Sequence, residues 1–353
     1  MKIAERLKAA GIHMVLGRLY NSKRYEAYVK QLGDWEDHLP GKKAVFKKIT
    51  AAALQVQLKL HKTTREYFHH MQYLTEEAVK KGAQLIAFPE NIHLPLIGVI
   101  PFVEKQLSTE QASSNKSTGK DMRELLYLLG PYLEKIYRLT FSTLAKKYKV
   151  YIMAGSIITP VGDKLYNMAY FFDSVGQCIG KQKKLHLTPL EEALGLDVGD
   201  ELTVISLPFA RVAFPICMDA TYYETFYLAR QKGAEIVIVP IANPEEYDFF
   251  KAFRGTWPRV QEARVFGIKP ALVGRLGNLL FTGKAAIFAP IEITPQRDGI
   301  ISEAQTYNQE ETVLGEIDLA ALRALHQDDL LLSDKNQELY DRYLPLLYKG
   351  ART

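Results

Sequence analysis

Cysteine is scarce in this chain. Only Cys178 and Cys217 occur among 353 residues, so the sequence offers no disulfide framework. The beginning of the chain, MKIAERLKAAG, carries too many charges for the apolar core of a secretory signal peptide. We therefore expect a protein of a reducing compartment, the cytoplasm.

Long apolar runs are missing as well. The longest nearly apolar run, residues 94–103, is far shorter than a bilayer span and contains two prolines, so we expect no membrane-spanning helix. The apolar and charged fractions, 47% and 24%, are ordinary for a globular protein and argue against a disordered or fibrous chain.

Several motifs that define cofactor sites are absent. The sequence has no phosphate-binding loop, no Gly-x-Gly-x-x-Gly after a strand and no Gly-x-Ser-x-Gly elbow. His69 and His70 are adjacent on a predicted helix and face different ways, and no histidine pair has zinc-ligand spacing near a thiol. We expect neither a cofactor nor a metal ion.

Positive charge is confined to the first part of the chain. Residues 1–50 hold eleven Lys/Arg and five Asp/Glu, a net charge of +6, so the other 303 residues carry −1. An acidic partner or a membrane surface would explain this excess. Because acidic residues are interspersed, a solvated helical arm packed on the body or on a second subunit is the simpler interpretation, and we expect no nucleic-acid partner.

Apolar strands alternate with helices along most of the chain, which predicts a layered α/β body. We divide the chain into a helical N-terminal extension (1–45), the α/β body (46–320) and a helical C-terminal tail (321–353). A long helix is predicted over 121–147, interrupted at Gly130-Pro131. The polar stretch 108–120 is predicted to be a mobile loop or a lid over a site.

One cysteine lies at a position suited to chemistry. The predicted strand Val212–Ile216 runs into Cys217, and a helix is expected to start near Thr221. A strand-to-helix turn exposes the turning side chain beside free backbone N–H groups, which suits a nucleophile and its oxyanion. Taken alone, Cys217 is more simply interpreted as a small buried hydrophobic residue, the commonest role of a free cysteine.

A carboxylate and a lysine also follow predicted strands. Pro89 ends the apolar run 83–88, which places Glu90 at the carboxyl end of a strand, where ligands bind in open α/β sheets. Partial burial there would raise the pKa of Glu90 toward the range of a general base. Lys184 follows the predicted strand 177–181, and a lysine beside a thiol would favour the thiolate. His186 is a rival base for the thiol.

These three signals occur in one order: Phe-Pro-Glu at Glu90, Gly180-x-x-x-Lys184-x-His-Leu, and Ile-Cys217-x-Asp219 at a strand-to-helix turn. Together they resemble the nitrilase superfamily of carbon–nitrogen hydrolases, with its Glu-Lys-Cys triad, over about residues 50–320. The resemblance implies a four-layer α-β-β-α sandwich, here with an added N-terminal arm. It also implies pairing of two subunits through outer helices, in a homodimer or a larger homo-oligomer.

The resemblance assigns roles by position. Cys217 would be the nucleophile, Glu90 the general base and Lys184 the group that stabilises the tetrahedral oxyanion. Related amidases carry a supporting glutamate shortly after the lysine, and Glu192 or Glu191 would match it.

The residues after the cysteine favour amide over nitrile chemistry. Nitrile-hydrolysing members typically show Cys-Trp-Glu, whereas amidases and carbamoylases show Cys-x-Asp, and this chain has Cys217-Met-Asp219. The chain departs from the family at Lys284, where serine is frequent. The resemblance implies hydrolysis of a small linear amide, ω-amide or N-carbamoyl compound through a thioester. The alternatives are a nitrilase, an acyl-transferring relative, and a non-catalytic binding module.

Overall fold

The structure is a computed structural model that describes residues 3–31, 47–101, 103, 119–327 and 336–350. Among these residues no helix has the length and apolarity needed to cross a membrane. The predicted loop over 108–120 lies outside the described residues except for its last two positions.

Helices and strands alternate along the described chain and are labelled here in chain order. The helices are α1 Ile3–Leu19, α2 Ser22–Lys30, α3 Thr64–Lys80, α4 Gly119–Tyr148, α5 Pro189–Ala193, α6 Tyr223–Gln231, α7 Phe249–Phe253, α8 Thr256–Ala263, α9 Leu319–Gln327 and α10 Gln337–Gly350. The strands are β1 Lys48–Leu58, β2 Leu85–Ala87, β3 Tyr151–Val161, β4 Lys164–Phe172, β5 Cys178–Lys183, β6 Val204–Ser206, β7 Arg211–Ala213, β8 Ile236–Ile238, β9 Phe266–Lys269, β10 Ala271–Leu276, β11 Leu279–Phe281, β12 Ala286–Phe288, β13 Ile300–Glu303 and β14 Glu311–Asp318.

The strands form two sheets. The larger has the order β11-β10-β1-β2-β3-β4-β5, with β14 pairing antiparallel to β1, and the smaller has the order β13-β12-β9-β8-β7-β6. Strands β10, β1, β2 and β3 run parallel, as do β7, β8 and β9. The carboxyl ends of the parallel strands therefore meet at one edge of each sheet.

Alternating side chains of the larger sheet serve two different cores. Ala51 and Ala53 of β1 pack toward the smaller sheet, whereas Ala52 and Leu54 pack against the outer helices. This is the period of two that a strand buried on both faces requires. The result is one core between the sheets and another under α3 and α4.

Helices cover both outer faces. Phe68 of α3 and Phe141 of α4 lie in the core on the outer face of the larger sheet, and Phe226 of α6 and Val260 of α8 lie in the core of the smaller sheet. The order of the layers is therefore helix, sheet, sheet, helix. The predicted four-layer α-β-β-α sandwich is confirmed.

Two further helices, α1 and α2, lie over the outer helices of the larger sheet. Leu16 of α1 and Val29 of α2 join the core under α3 and α4. The Tyr25 hydroxyl shares a hydrogen bond of 2.6 Å with Thr140 Oγ1 of α4. The first described segment of the chain is thus helical, and the division of the chain at residues 45 and 320 stays a prediction.

The expected interruption at Gly130-Pro131 is wrong, because α4 continues through Pro131. A Cβ atom on residue 130 would lie 2.5 Å from Cδ of Pro160, so the glycine permits close packing of the helix on the end of β3. Helix burial of this kind can outweigh the roughly 3 kcal/mol that an interior proline costs.

The segment around Cys217 is less regular than expected. Strand β7 ends at Ala213, helix α6 begins only at Tyr223, and a 3₁₀ turn spans Cys217–Thr221 between them. The region 243–253 contains the short helix α7.

Candidate active site

The two sheets bring three of the predicted residues together. Glu90 follows β2 and Lys184 follows β5, both of the larger sheet, whereas Cys217 follows β7 of the smaller sheet. All three line one cavity of about 430 Å³ between the sheet edges. That volume falls within the range of about 300–1,000 Å³ typical of small-molecule sites.

The Lys184 ammonium lies at the centre of the cluster. Its Nζ is 2.8 Å from Oε1 of Glu90 and 2.9 and 2.7 Å from the two carboxylate oxygens of Glu191. Lys184 is only 1% exposed. A lysine so deeply buried is stable as a cation only because carboxylates surround it.

The Glu90 carboxylate accepts hydrogen bonds from both sheets. Oε1 accepts from Asn167 Nδ2 at 2.9 Å in addition to Lys184, and Oε2 accepts from the backbone N–H of Ala242 at 2.9 Å. The Cys217 thiol lines the same cavity and donates to Asn243 Oδ1 at 3.5 Å. These contacts fix the carboxylate beside the thiol.

Glu191, and not Glu192, completes the cluster. Thr188 caps α5, and its backbone N–H and hydroxyl each donate to Oε2 of Glu191 at 2.9 Å in a capping box. The box turns the third residue of the helix inward, so Glu191 reaches Lys184 while Glu192 is exposed. The assignment of Glu192 as a supporting residue is therefore wrong in geometry.

The backbone is strained at the cysteine. Cys217 has φ of +46°, a left-handed conformation that is uncommon for any residue except glycine. Its backbone N–H donates to Pro240 O at 3.0 Å, which ties the turn to the end of β8. The surrounding contacts hold Cys217 in this unfavourable conformation. Residues with strained backbones cluster at active sites.

Asp219 links this turn to the end of β5. Its buried carboxylate accepts from the backbone N–H of Ile216 at 2.8 Å, Leu185 at 3.1 Å and His186 at 2.7 Å. The imidazole of His186 also lies on Asp219, with Nδ1 at 3.0 Å, and stacks on Tyr222. His186 is thus engaged away from the thiol, which disfavours it as the base.

The environment keeps the cysteine protonated and makes its neighbour a better base. Burial and the adjacent Glu90 charge raise the pKa of the Cys217 thiol well above its ordinary value. Burial also raises the pKa of Glu90, although the Lys184 charge opposes this effect. A neutral thiol therefore faces a carboxylate with increased proton affinity.

The other two groups remain charged. Burial alone would lower the pKa of Lys184, but the charges of Glu90 and Glu191 raise it above its ordinary value. Burial alone would raise the pKa of Glu191, but the Lys184 charge and its hydrogen bonds hold it below its ordinary value. Lys184 and Glu191 thus form a permanent ion pair next to Glu90.

Two contributors to the site were not anticipated in these roles. Asn167 Nδ2 bridges Glu90 and Glu191, at 2.9 Å from each, and Asp219 holds the cysteine turn. Asn167 stands out in the sequence as a lone amide within an apolar strand, LYNMAYFF. A buried amide in such a strand needs partners, which is the signal that could have identified it.

Within the described ranges, no three His, Cys, Asp or Glu side chains are grouped so that they could hold a metal ion.

Comparison with known proteins identifies the class. Residues 50–327 match the family model described as carbon-nitrogen hydrolase, so the chain belongs to the carbon–nitrogen hydrolase family. It is 27% identical over 325 residues to the probable hydrolase YhcX of Bacillus subtilis, covering 88% of this chain and 59% of that protein. It is 24% identical over 299 residues to the omega-amidase NIT2 of Bos taurus, covering 81% of this chain and 95% of that protein. The chain thus spans about three fifths of the Bacillus relative.

Solved structures share the fold. The nitrilase-superfamily protein Nit3 of Saccharomyces cerevisiae superposes with a TM-score of 0.61 and 19% identity, covering 84% of this chain and 99% of that one. A mutant amidase from Nesterenkonia sp. AN1, which carries the acetamide moiety of fluoroacetamide on its active-site cysteine, gives a TM-score of 0.58 and 17% identity. That superposition covers 84% of this chain and 97% of the amidase. Membership of the nitrilase superfamily, predicted from three motifs, is confirmed.

Proposed function

We propose that this protein hydrolyses the C–N bond of a small linear amide through a thioester on Cys217. The observation that carries the proposal is that the Cys217 thiol and the Glu90 carboxylate line one cavity, with the Lys184 ammonium 2.8 Å from that carboxylate. A nucleophile, its base and a fixed positive charge in one cavity are the components that acyl transfer requires.

Acylation begins when Glu90 takes the thiol proton and the sulfur attacks the amide carbon. The carbonyl oxygen becomes an oxyanion, held by the Lys184 ammonium and the backbone N–H of Met218. Collapse of this intermediate breaks the C–N bond, and Glu90 returns its proton to the departing nitrogen. Ammonia or an amine leaves, and the acyl group remains on the sulfur as a thioester.

Deacylation uses the same base. Glu90 takes a proton from a water molecule, whose oxygen attacks the thioester carbon. The same oxyanion contacts hold the second intermediate, which collapses to a carboxylic acid and regenerates the thiol with the proton from Glu90. One carboxylate serves both steps because burial raises its pKa and so increases its affinity for the proton that it accepts and returns.

Glu191 has a positioning role in this proposal. Its two oxygens hold Lys184 Nζ, and its hydrogen bonds to Thr188 keep it charged. The ammonium is therefore already in place and desolvated before the oxyanion forms, so little reorganisation is needed during the reaction.

The comparisons support the amide over other C–N substrates. One relative is named an omega-amidase, and a fold neighbour is an amidase with an adduct at its active-site cysteine. The Cys217-Met218-Asp219 sequence agrees with this choice, because amidase and carbamoylase members of the superfamily that the chain resembles show Cys-x-Asp. Nitriles and acyl transfer to an added amine are the alternative outcomes of the assay.

The test measures ammonia release from a panel of amides and nitriles, with fluoroacetamide as the covalent probe. We expect turnover of amides, a single adduct on Cys217, and a loss of kcat of about 10⁴-fold or more in Cys217→Ala. Cys178→Ala is the matched control, since Cys178 is also partly buried but faces none of the cluster. Retained turnover in Cys217→Ala would refute the proposal.

The role of Glu191 has its own matched pair of variants. Glu191→Gln removes the charge beside Lys184 and should lower kcat by about 10- to 100-fold, the value of one charge-assisted hydrogen bond, with little change in KM. Glu192→Gln, on the same helix and exposed, should leave kcat unchanged. Equal losses of kcat in Glu191→Gln and Glu192→Gln would contradict the positioning role of Glu191.

The compartment and the assembly complete the proposal. A thiol nucleophile has to stay reduced, which agrees with a cytoplasmic protein. The homodimer or larger homo-oligomer rests on the resemblance alone and is tested by the mass in solution, where a monomer at micromolar concentration would refute it.

A further inference from the structure

A second basic group lines the cavity, away from Glu90 and Lys184. Lys269 ends β9 and is only 7% exposed. Among the described residues its ammonium has no hydrogen-bond or ion-pair partner, although the Phe288 ring centroid lies 5.2 Å from Nζ. Buried ammonium groups normally have a carboxylate or several acceptors, so an unpaired one in a ligand cavity calls for an explanation.

Lys284 lies beside it and adds to the positive charge. The register pairs Lys269 with Ala286 of β12, and Ala286 in turn with Glu303 of β13. Lys284 also lines the cavity, two residues before Ala286, and its Nζ is 3.2 Å from Glu303 Oε2. Glu303 lies near both lysines and can neutralise only one of them. One positive charge is therefore left without a partner.

Burial and the neighbouring Lys284 lower the pKa of Lys269 to about 8, while Glu303 opposes this effect. The Lys269 amino group is therefore still protonated at neutral pH. Burying this charge costs free energy, and an anion in the cavity would reduce that cost. The acidic residues at the cavity mouth do not serve this purpose: Glu245 is exposed and paired with Lys251 at 2.9 Å.

The sheet places the two lysines at the same edge as the nucleophile. Cys217 follows β7, Ala242 follows β8, Lys269 ends β9, and Lys284 precedes the antiparallel β12, in consecutive strands of the smaller sheet. With a strand spacing of about 4.8 Å, the backbones of β7 and β9 lie roughly 10 Å apart. A short chain with an amide at one end can therefore reach Cys217 while its other end reaches Lys269.

We propose that Lys269 and Lys284 form a subsite for a carboxylate, so that the substrate is an amide that bears an anionic group at its far end. This inference rests on the proposed function, and names the substrate class of the same site. Lys269 supplies the direct charge contact, and Lys284 draws the charge of Glu303 away from it.

The test compares succinamate with succinamide, which differ by one carboxylate in place of a neutral amide. We expect wild-type protein to favour succinamate at least tenfold in kcat/KM. Lys269→Met, of nearly equal volume, should lower kcat/KM for succinamate by about 10- to 100-fold and that for succinamide less than threefold. Lys251→Met is the control, a cavity lysine already paired with a carboxylate, and should leave the ratio unchanged.

A variant with the opposite effect separates charge from damage to the fold. Glu303→Gln removes the one neutralising carboxylate and should increase the preference for succinamate, whereas Lys284→Ser, which frees Glu303 to pair with Lys269, should decrease it. Equal use of the two substrates by wild-type protein, or an equal loss for both in Lys269→Met, would overturn the subsite.

Failure of the proposed function would be visible separately. If wild-type protein turns over no amide in the panel, the hydrolase proposal fails, and the subsite is judged by calorimetric binding of succinate. Binding that is at least tenfold weaker to Lys269→Met supports the subsite, and equal binding to wild type and variant, or no binding to either, overturns it.

Discussion

The carboxylate of Asp219 should contribute strongly to both stability and reactivity. Oδ1 accepts from His186 N at 2.7 Å and from its ring Nδ1 at 3.0 Å, while Oδ2 accepts from Ile216 N at 2.8 Å. Asp219 is fully buried, so water cannot replace a lost partner. The substitution Asp219→Asn keeps the shape and removes one acceptor.

The cost can be worked from these contacts. Whichever way the amide is oriented, its NH₂ group faces a backbone N–H, which leaves one buried donor unsatisfied at about 1–3 kcal/mol. The remaining bonds change from charge-assisted to neutral, which costs about 1 kcal/mol more. We expect the free energy of unfolding to fall by about 2–4 kcal/mol in total.

Urea denaturation with linear extrapolation measures this loss, and an unchanged m value would show that the unfolding transition is otherwise the same. Because Asp219 holds the strained turn at Cys217, the rate of adduct formation with fluoroacetamide under native conditions should fall as well. Asp200→Asn is the control: Asp200 is 88% exposed and lies 3.7 Å from Lys183 Nζ, so its substitution should change the stability by less than about 0.5 kcal/mol. A loss below about 1 kcal/mol in Asp219→Asn, with an unchanged rate, would refute the reasoning.

Two further substitutions test the packing of the segment after β2, which carries Glu90. Gly155→Ala would place a Cβ atom 1.9 Å from Pro89 O at a φ of +70°, so we expect a loss of about 2–5 kcal/mol in urea denaturation, whereas Gly162→Ala, with φ of +65° and open space, should cost only about 1 kcal/mol. Equal losses would contradict the packing argument. Burial lowers the pKa of His93 from 6.5 to about 4, so the unfolded state binds the proton more tightly and stability falls as pH drops through this window. Between pH 7 and pH 5, protonation of His93 should cost the wild-type protein about 2 kcal/mol of unfolding free energy, and His93→Gln should lack this part of the loss. Identical pH dependences of the two proteins would exclude a contribution of His93 to destabilisation by acid.

Much of the site was predictable because its chemistry lies at strand ends. Glu90, Lys184 and Cys217 each follow a predicted strand, and the carboxyl ends of parallel strands lead to a common edge. The choice between Glu191 and Glu192 was also open to prediction, since Thr188-x-x-Glu191 has the pattern of a capping box, which turns Glu191 inward.

The remaining features depend on contacts between elements distant in the chain. Asn167 acts only because β4 pairs with β5 and so brings it beside Lys184, and no local pattern reveals that register. Gly130 allows close packing on Pro160, a residue of a different element, although Gly-Pro locally predicts a break. Burial of Lys269 likewise depends on the pairing of β12 with β9 and of β13 with β12.

The proposed base and nucleophile come from different sheets, and they meet because the core between those sheets and the hydrogen bonds of Glu90 and Asp219 hold the sheets together. A partly folded chain with both sheets formed but not yet docked would therefore carry every reactive group and still be inert. Cys217 would gain its proposed base only when the two sheets dock.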